Sequence, residues 1–224
     1  MGTLSDKLRS TVFYGILDTG YVAKCDMFSK CEAIVKSGTK IIQLRAKAED
    51  ATERRKMAYE ILPIFKKHSD IFFIINDDVD LAAEICREIP NAGLHVGQDD
   101  CDPHDARKAI GNDRVLGRST HSKEQALTAD PLADVLDYFA VGPVYSTNTK
   151  PGRIPVGLEL VKTVSTLSPT LPWYAIGGVN LKTAANVRRA GADRIVAVSD
   201  VLIANDTTFA IRNLIDTFLT INKD

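Results

Sequence analysis

The chain of 224 residues has no apolar run approaching the about 18 residues that a membrane-spanning helix needs. Its opening Met-Gly-Thr-Leu-Ser-Asp lacks the apolar stretch of a secretory signal. Cysteine is scarce: Cys25, Cys31, Cys86 and Cys101 form no C-x-x-C pair and show no metal-binding spacing to histidine. That pattern argues against a disulfide framework, a zinc site or a redox pair, and predicts free thiols in a reducing cytoplasm. A basic excess is missing too, since 28 Lys and Arg face 29 Asp and Glu for a formal net charge of −1. A protein that grips nucleic acid through its phosphates needs such an excess, so neither nucleic acid nor membrane is expected as a partner. No Pro- or Ser-rich linker and no low-complexity tract divides the chain. It reads as one domain over 1–224, with 1–10 as an N-terminal extension.

What the sequence does contain is alternation. Short apolar runs at 12–17, 41–44, 71–75, 93–96, 114–117, 138–141, 173–176 and 195–198 predict strands. Helical patterns at 27–37, 52–67, 79–88, 103–110, 123–129, 157–167, 181–190 and 207–219 fill the gaps. Asp102-Pro103 supplies an N-cap followed by proline at the first helical position. Eight β/α units of roughly 28 residues each imply a parallel sheet closed into a (β/α)8 TIM barrel. An open doubly wound sheet is the weaker reading, because no G-x-G-x-x-G follows any strand. The irregular stretch 142–156, between the sixth strand and its helix, is long for a compact domain and predicts a functional loop.

In such a barrel the loops after the strands form the mouth where chemistry is done. Side chains alternate along a strand, so Gln43 and Arg45 share one face opposite Ile42 and Leu44, with Lys47 just above. An amide and two cations there suit an anionic ligand, or alternatively an internal ion-pair network. The third strand ends at Asn76-Asp77-Asp78, and the fourth runs into Asp99-Asp100. Asp77 and Asp100, above adjacent strands, suit a Mg²⁺ ion shared with phosphate oxygens. The plainer role is helix capping, which is assigned to Asp78 and Asp102. Ser119 and His121 share a parity at the end of the fifth strand. Without a G-x-S-x-G elbow, Ser119 reads as a hydrogen-bonding residue rather than a nucleophile, while His121 suits either a structural or a site role. Thr147, Thr149 and Lys150 in the long loop offer an anion grip, and Gly177-Gly178 and Ser199 follow the last two strands, where such barrels often bind phosphate. Two anion grips, one with a metal, imply two phosphorylated small-molecule substrates.

Several blocks, taken together, resemble thiamine phosphate synthases. They are Gln43-Leu44-Arg45-x-Lys47, Asn76-Asp77-x-Val79-Asp80-Leu81-Ala82, Gly93-Leu94-His95-Val96-Gly97-Gln98-Asp99-Asp100, Ser119-Thr120-His121, Val141-Gly142-Pro143-Val144-Tyr145-x-Thr147-x-Thr149-Lys150, Pro155-Val156-Gly157, Ala175-Ile176-Gly177-Gly178 and Ala190-Gly191-Ala192-Asp193. The match is collinear from about Tyr14 to Ser199. The resemblance implies a transferase that joins a hydroxymethylpyrimidine diphosphate to a thiazole phosphate, or its carboxylated form, releasing pyrophosphate. It implies that Gln43, Arg45, Lys47, Asn76 and Lys150 hold the pyrimidine diphosphate and that Asp77 and Asp100 bind Mg²⁺. It also implies that Ser119 meets the pyrimidine, and that Thr147, Thr149, Gly178, Val198 and Ser199 cradle the thiazole phosphate. Arg45, Lys47 and Lys150 would neutralise the departing pyrophosphate. Leu17, Asp78, Arg118 and Asp200 depart from the family pattern. The rival readings are a thiazole tautomerase of the same superfamily, which needs neither the cationic cluster nor two metal carboxylates, and a non-catalytic paralogue that binds thiamine intermediates. The sequence leaves the oligomeric state open.

Overall fold

The structure, a computed structural model, describes residues 4–147, 149, 152 and 154–223. Eight strands form at the apolar runs: β1 Phe13–Asp18, β2 Ile41–Arg45, β3 Phe72–Asn76, β4 Ala92–Val96, β5 Val115–Thr120, β6 Tyr138–Val141, β7 Trp173–Ile176 and β8 Ile195–Ala197. Each pairs in parallel with its neighbour in sequence, and β8 returns to β1 to close the barrel. Nearly every strand position is buried, as expected of strands covered by helices on one face and by the barrel interior on the other. This closed (β/α)8 architecture is the one the alternation predicts.

The helical layer comprises α1 Leu4–Arg9, α2 Met27–Lys36, α3 Ala51–Lys67, α4 Val79–Glu88, α5 Pro103–Ile110, α6 Lys123–Ala129, α7 Gly157–Leu167, α8 Ala184–Arg189, α9 Ser199–Leu202 and α10 Thr207–Leu219. Asp50, Asp78, Asp102, Ser122 and Asp206 each cap a helix start by accepting a backbone N–H two or three residues on. Asp78 and Asp102 therefore do the capping expected of them. Asp78 also takes a 2.8 Å hydrogen bond from Arg54 Nε. No helix among the described residues is long and apolar enough to cross a membrane. The four cysteines are free thiols.

Several boundaries differ from those expected. β1 reaches Asp18, because the Asp18–Arg45 register extends the ladder to the rim. β5 runs on to Thr120, drawn out by pairing with β6 up to Val141. The helix expected at 181–190 shortens to Ala184–Arg189, since the Asn180 side chain bonds the backbone N–H groups of Lys182 and Thr183 and holds a turn there. β8 stops at Ala197, and Val198 precedes the short helix α9 instead of continuing the strand. Helices α1 and α9 are additional. In α1, Leu8 is fully buried and its carbonyl accepts from Thr11.

The barrel interior is partly polar. Tyr14, Tyr138 and Tyr174 are fully buried and meet edge to face, with ring centroids 5.3–5.6 Å apart. Room for Tyr138 comes from Gly117, its partner in register: a Cβ there would lie 2.0 Å from the Tyr138 ring.

Candidate active site

The ends of the strands surround an open cleft of about 1050 Å³. On the β2 side, Gln43 is buried and donates from Nε2 to the Tyr14 hydroxyl at 2.8 Å. Two positions on, at the rim, Arg45 Nη1 lies 2.7 Å from Asp18 Oδ2, and Nη2 donates to the Thr149 carbonyl at 3.1 Å. Above β2, Lys47 Nζ lies 2.8 Å from Asp77 Oδ2. Asp77 adopts a left-handed backbone (φ 62°), which aspartate tolerates better than most residues. Its backbone N–H donates to His95 O at 2.9 Å, so the turn leaving β3 is pinned to β4.

Asp100 is exposed, and its Oδ2 accepts from the Gly97 N–H at 2.8 Å. Among the described residues Asp77 Oδ1 and Asp100 Oδ1 have no partner, so each carboxylate keeps one oxygen for a ligand. The described residues contain no group of three or more His, Cys, Asp or Glu side chains able to hold a metal unaided. Two hard carboxylates beside an anion pocket fit Mg²⁺, which takes one or two of them and completes its shell with phosphate oxygens and water. Charge gives a second reason. The described lining carries Arg45 and Lys47 against Asp77, Asp100 and Asp200, and Asp18 already offsets Arg45. Among the described lining residues a polyanion meets more carboxylates than cations unless a divalent cation comes with it.

Opposite β2, the Ser119 hydroxyl lies 2.9 Å from His95 Nε2, and the His95 ring stacks on Tyr138. His121 lines the same cleft and bonds through Nδ1 to the Gly142 carbonyl, anchoring the start of the long loop. That loop is laced to β7 by Val144 N–H to Ile176 O at 2.9 Å and Tyr145 N–H to Gly177 O at 3.0 Å. Gly178 has φ +65°, and a Cβ on it would come within 2.7 Å of Tyr145 Cβ, so this approach of backbone to backbone requires glycine. Gly178, Val198 and Ser199 line the cleft beside Asp200.

Gln43, Arg45, Lys47, Asn76, Asp77, Asp100, Ser119, Thr147, Thr149, Gly178, Val198 and Ser199 thus all line one cavity. Lys150 lies outside the described residues. Thr149, expected at the thiazole phosphate, sits at the cationic end, where its hydroxyl lies 3.1 Å from the Tyr21 hydroxyl and its carbonyl meets Arg45. Of the positions that depart from the family pattern, Asp200 lines the cleft, whereas Leu17 is buried. The site residues that sequence reasoning leaves without a role are Asp18, Tyr14, His95 and Tyr138. The parity that turns Ile16 and Gly93 inward also turns Tyr14 and His95 inward, and that signal is present in the sequence.

A family model described as thiamine monophosphate synthase matches residues 13–201. The chain is 40% identical over 185 residues to a thiamine-phosphate synthase of Prochlorococcus marinus (strain MIT 9303), covering 83% of this chain and 50% of that protein. It is also 40% identical over 185 residues to a thiamine-phosphate synthase of Thermus thermophilus, covering 83% and 85%. The chain therefore spans about half the length of the cyanobacterial relatives it matches and most of the length of the Thermus one. Among solved structures, thiamine phosphate pyrophosphorylase from Pyrococcus furiosus superposes with a TM-score of 0.79 at 26% identity, over 95% of this chain and 98% of that one. With the match covering the barrel and every strand end that faces the cleft, the chain belongs to the thiamine monophosphate synthase family.

Proposed function

We propose that the protein is a cytoplasmic thiamine phosphate synthase, condensing a hydroxymethylpyrimidine diphosphate with a thiazole phosphate, or with its carboxylated form and loss of CO2, to give thiamine phosphate and pyrophosphate. The observation that carries this reading is convergence. Residues from four consecutive strand ends, Gln43 and Arg45, Lys47 with Asp77, Asp100, and Ser119, face one cleft that Gly178, Val198 and Ser199 also line. A tautomerase acting on the thiazole alone would leave the cationic, two-carboxylate half without a task.

In this reading Arg45, Lys47, Asn76 and Lys150 hold the diphosphate. The C–O bond to the pyrimidine methylene breaks, with the electron pair leaving on pyrophosphate. The thiazole nitrogen then supplies its lone pair to the methylene cation to form the new C–N bond. Asp77 and Asp100 would hold Mg²⁺, which would supply Lewis-acid neutralisation of the leaving group. Arg45 and Lys47 add fixed positive charge where negative charge grows, which accelerates departure more than it tightens binding. Gln43 and Ser119 orient the pyrimidine, and Thr147, Thr149, Gly178, Val198 and Ser199 receive the thiazole phosphate. No protein nucleophile is required, in keeping with a Ser119 hydroxyl that has histidine beside it but no strand-to-helix elbow beneath it.

Incubation of purified protein with both substrates and Mg²⁺ tests the proposal. Thiamine phosphate and pyrophosphate are expected in equal amounts, with Asp77→Ala slower by about 10²-fold or more. Confirmed binding of both substrates without any product would remove the catalytic reading.

A further inference from the structure

A chain of hydrogen bonds runs through the barrel interior from one wall of the cleft to the other. Gln43 Nε2 donates to the Tyr14 hydroxyl at 2.8 Å, and the Tyr14 and Tyr138 hydroxyls are 2.8 Å apart. Tyr138 Oη lies 3.0 Å from His95 Nδ1, and His95 Nε2 lies 2.9 Å from Ser119 Oγ. The two ends, Gln43 and Ser119, line the cleft, and the two phenols are fully buried.

With the Gln43 amide nitrogen facing Tyr14, proton bookkeeping gives this chain a direction. The Tyr14 hydroxyl accepts from the Gln43 amide, so its own proton must go to Tyr138, its only other hydrogen-bond partner among the described residues. Tyr138, accepting from Tyr14, must in turn donate to His95 Nδ1. An imidazole that accepts at Nδ1 carries its proton on Nε2 and donates it to Ser119 Oγ. A doubly protonated His95 would strand one phenolic proton in the interior, an arrangement that costs the full desolvation of the group. At the far end the Ser119 hydroxyl, already accepting, has its proton free for the cleft. At the near end Gln43 gives one amide N–H to Tyr14, and its Oε1 is left as an acceptor.

We infer that Tyr14, Tyr138 and His95 are positioning residues that set the polarity of the pyrimidine pocket. Through them the cleft presents a hydroxyl donor at Ser119 and a carbonyl acceptor at Gln43. That pair complements a heterocycle that turns a ring nitrogen acceptor toward Ser119 and an exocyclic amino donor toward Gln43, and it disfavours an oxo-pyrimidine that presents the opposite pattern. Only this last step rests on the proposed function. The direction of the chain stands on the protein alone.

The test reads the tautomer directly. In protein carrying ¹⁵N-labelled histidine, two-bond ¹H–¹⁵N spectra distinguish the two neutral forms, and His95→Gln identifies which of the four histidine signals is His95. Ligand-free protein is expected to show His95 protonated at Nε2 and bare at Nδ1. Protonation at Nδ1 overturns the inference whether or not the protein is an enzyme. In Tyr138→Phe, which keeps the ring and removes the donor, the single tautomer should give way to a mixture. kcat/KM for the pyrimidine diphosphate should fall about tenfold, while KM for the thiazole phosphate is unchanged. An unchanged tautomer with unchanged kcat/KM, or an equal loss against both substrates, would also overturn it. Wild-type protein that makes no thiamine phosphate removes the proposed function, while the spectrum still decides the polarity.

Discussion

Arg45 carries a structural role beside the ligand role proposed for it. Its guanidinium reaches into the cleft, yet it also lies 2.7 Å from Asp18, whose side chain is 3% exposed. Removing one partner of a buried pair leaves the other charge uncompensated, which costs more than the pair contributes. Arg45→Ala is therefore expected to destabilise the fold by about 3 kcal/mol, with much of the loss recovered when Asp18→Asn is added. Urea unfolding of the two variants checks this, and equal destabilisation in both would mean that Asp18 finds another partner. Of the two readings of Gln43 and Arg45 weighed from the sequence, the internal network is present in the Asp18–Arg45 pair, and the ligand grip belongs to the proposed function. Parity turns both side chains inward, but Asp18 lies 27 residues from Arg45, and only the β1–β2 register brings the two together. Likewise, Tyr14 and Tyr138 are 124 residues apart. A tyrosine inside an apolar strand reads as core until its hydroxyl's partner is known.

The elements most legible in the sequence are the strands and the long helices, because burial on both faces writes an unbroken apolar run and an amphipathic helix writes its own period. Short helices carry too few turns to show a period, and α1 and α9, of 6 and 4 residues, escape detection for that reason. The α1 helix nevertheless matters to the base of the barrel. Leu8 is fully buried, and its carbonyl accepts from Thr11 at 2.7 Å and from Tyr174 Oη at 3.3 Å. Leu8→Ala should lower stability by about 2–4 kcal/mol, read as a fall in the thermal midpoint with turnover at low temperature preserved. A variant as stable as the parent would show that α1 lies on the barrel without supporting it.

Across the whole molecule the polar interior makes the fold sensitive to alkali. Burial pushes the Tyr174 phenol up to about 12 and holds those of Tyr14 and Tyr138 well above the ordinary range. In the unfolded chain all three ionise near pH 10, so the folded state retains protons that the unfolded state has lost. Stability is then undiminished below about pH 10 and falls above it, by up to about 1.4 kcal/mol per pH unit for each such tyrosine. Tyrosinate absorbance from these three should rise only together with unfolding. Smooth ionisation of all six tyrosines in protein that stays folded would contradict the buried network.

The cleft has the opposite sensitivity, to cations. Its described lining carries more carboxylates than cationic side chains, and the proposed function has a divalent ion accompany the diphosphate. Calorimetric titration of inorganic pyrophosphate into the protein, with and without Mg²⁺, measures this. Binding is expected only with Mg²⁺, and it should weaken by at least about tenfold in Asp77→Ala and in Asp100→Ala. Pyrophosphate that binds equally well in chelator, or that ignores both substitutions, would contradict a leaving-group pocket built around a shared metal.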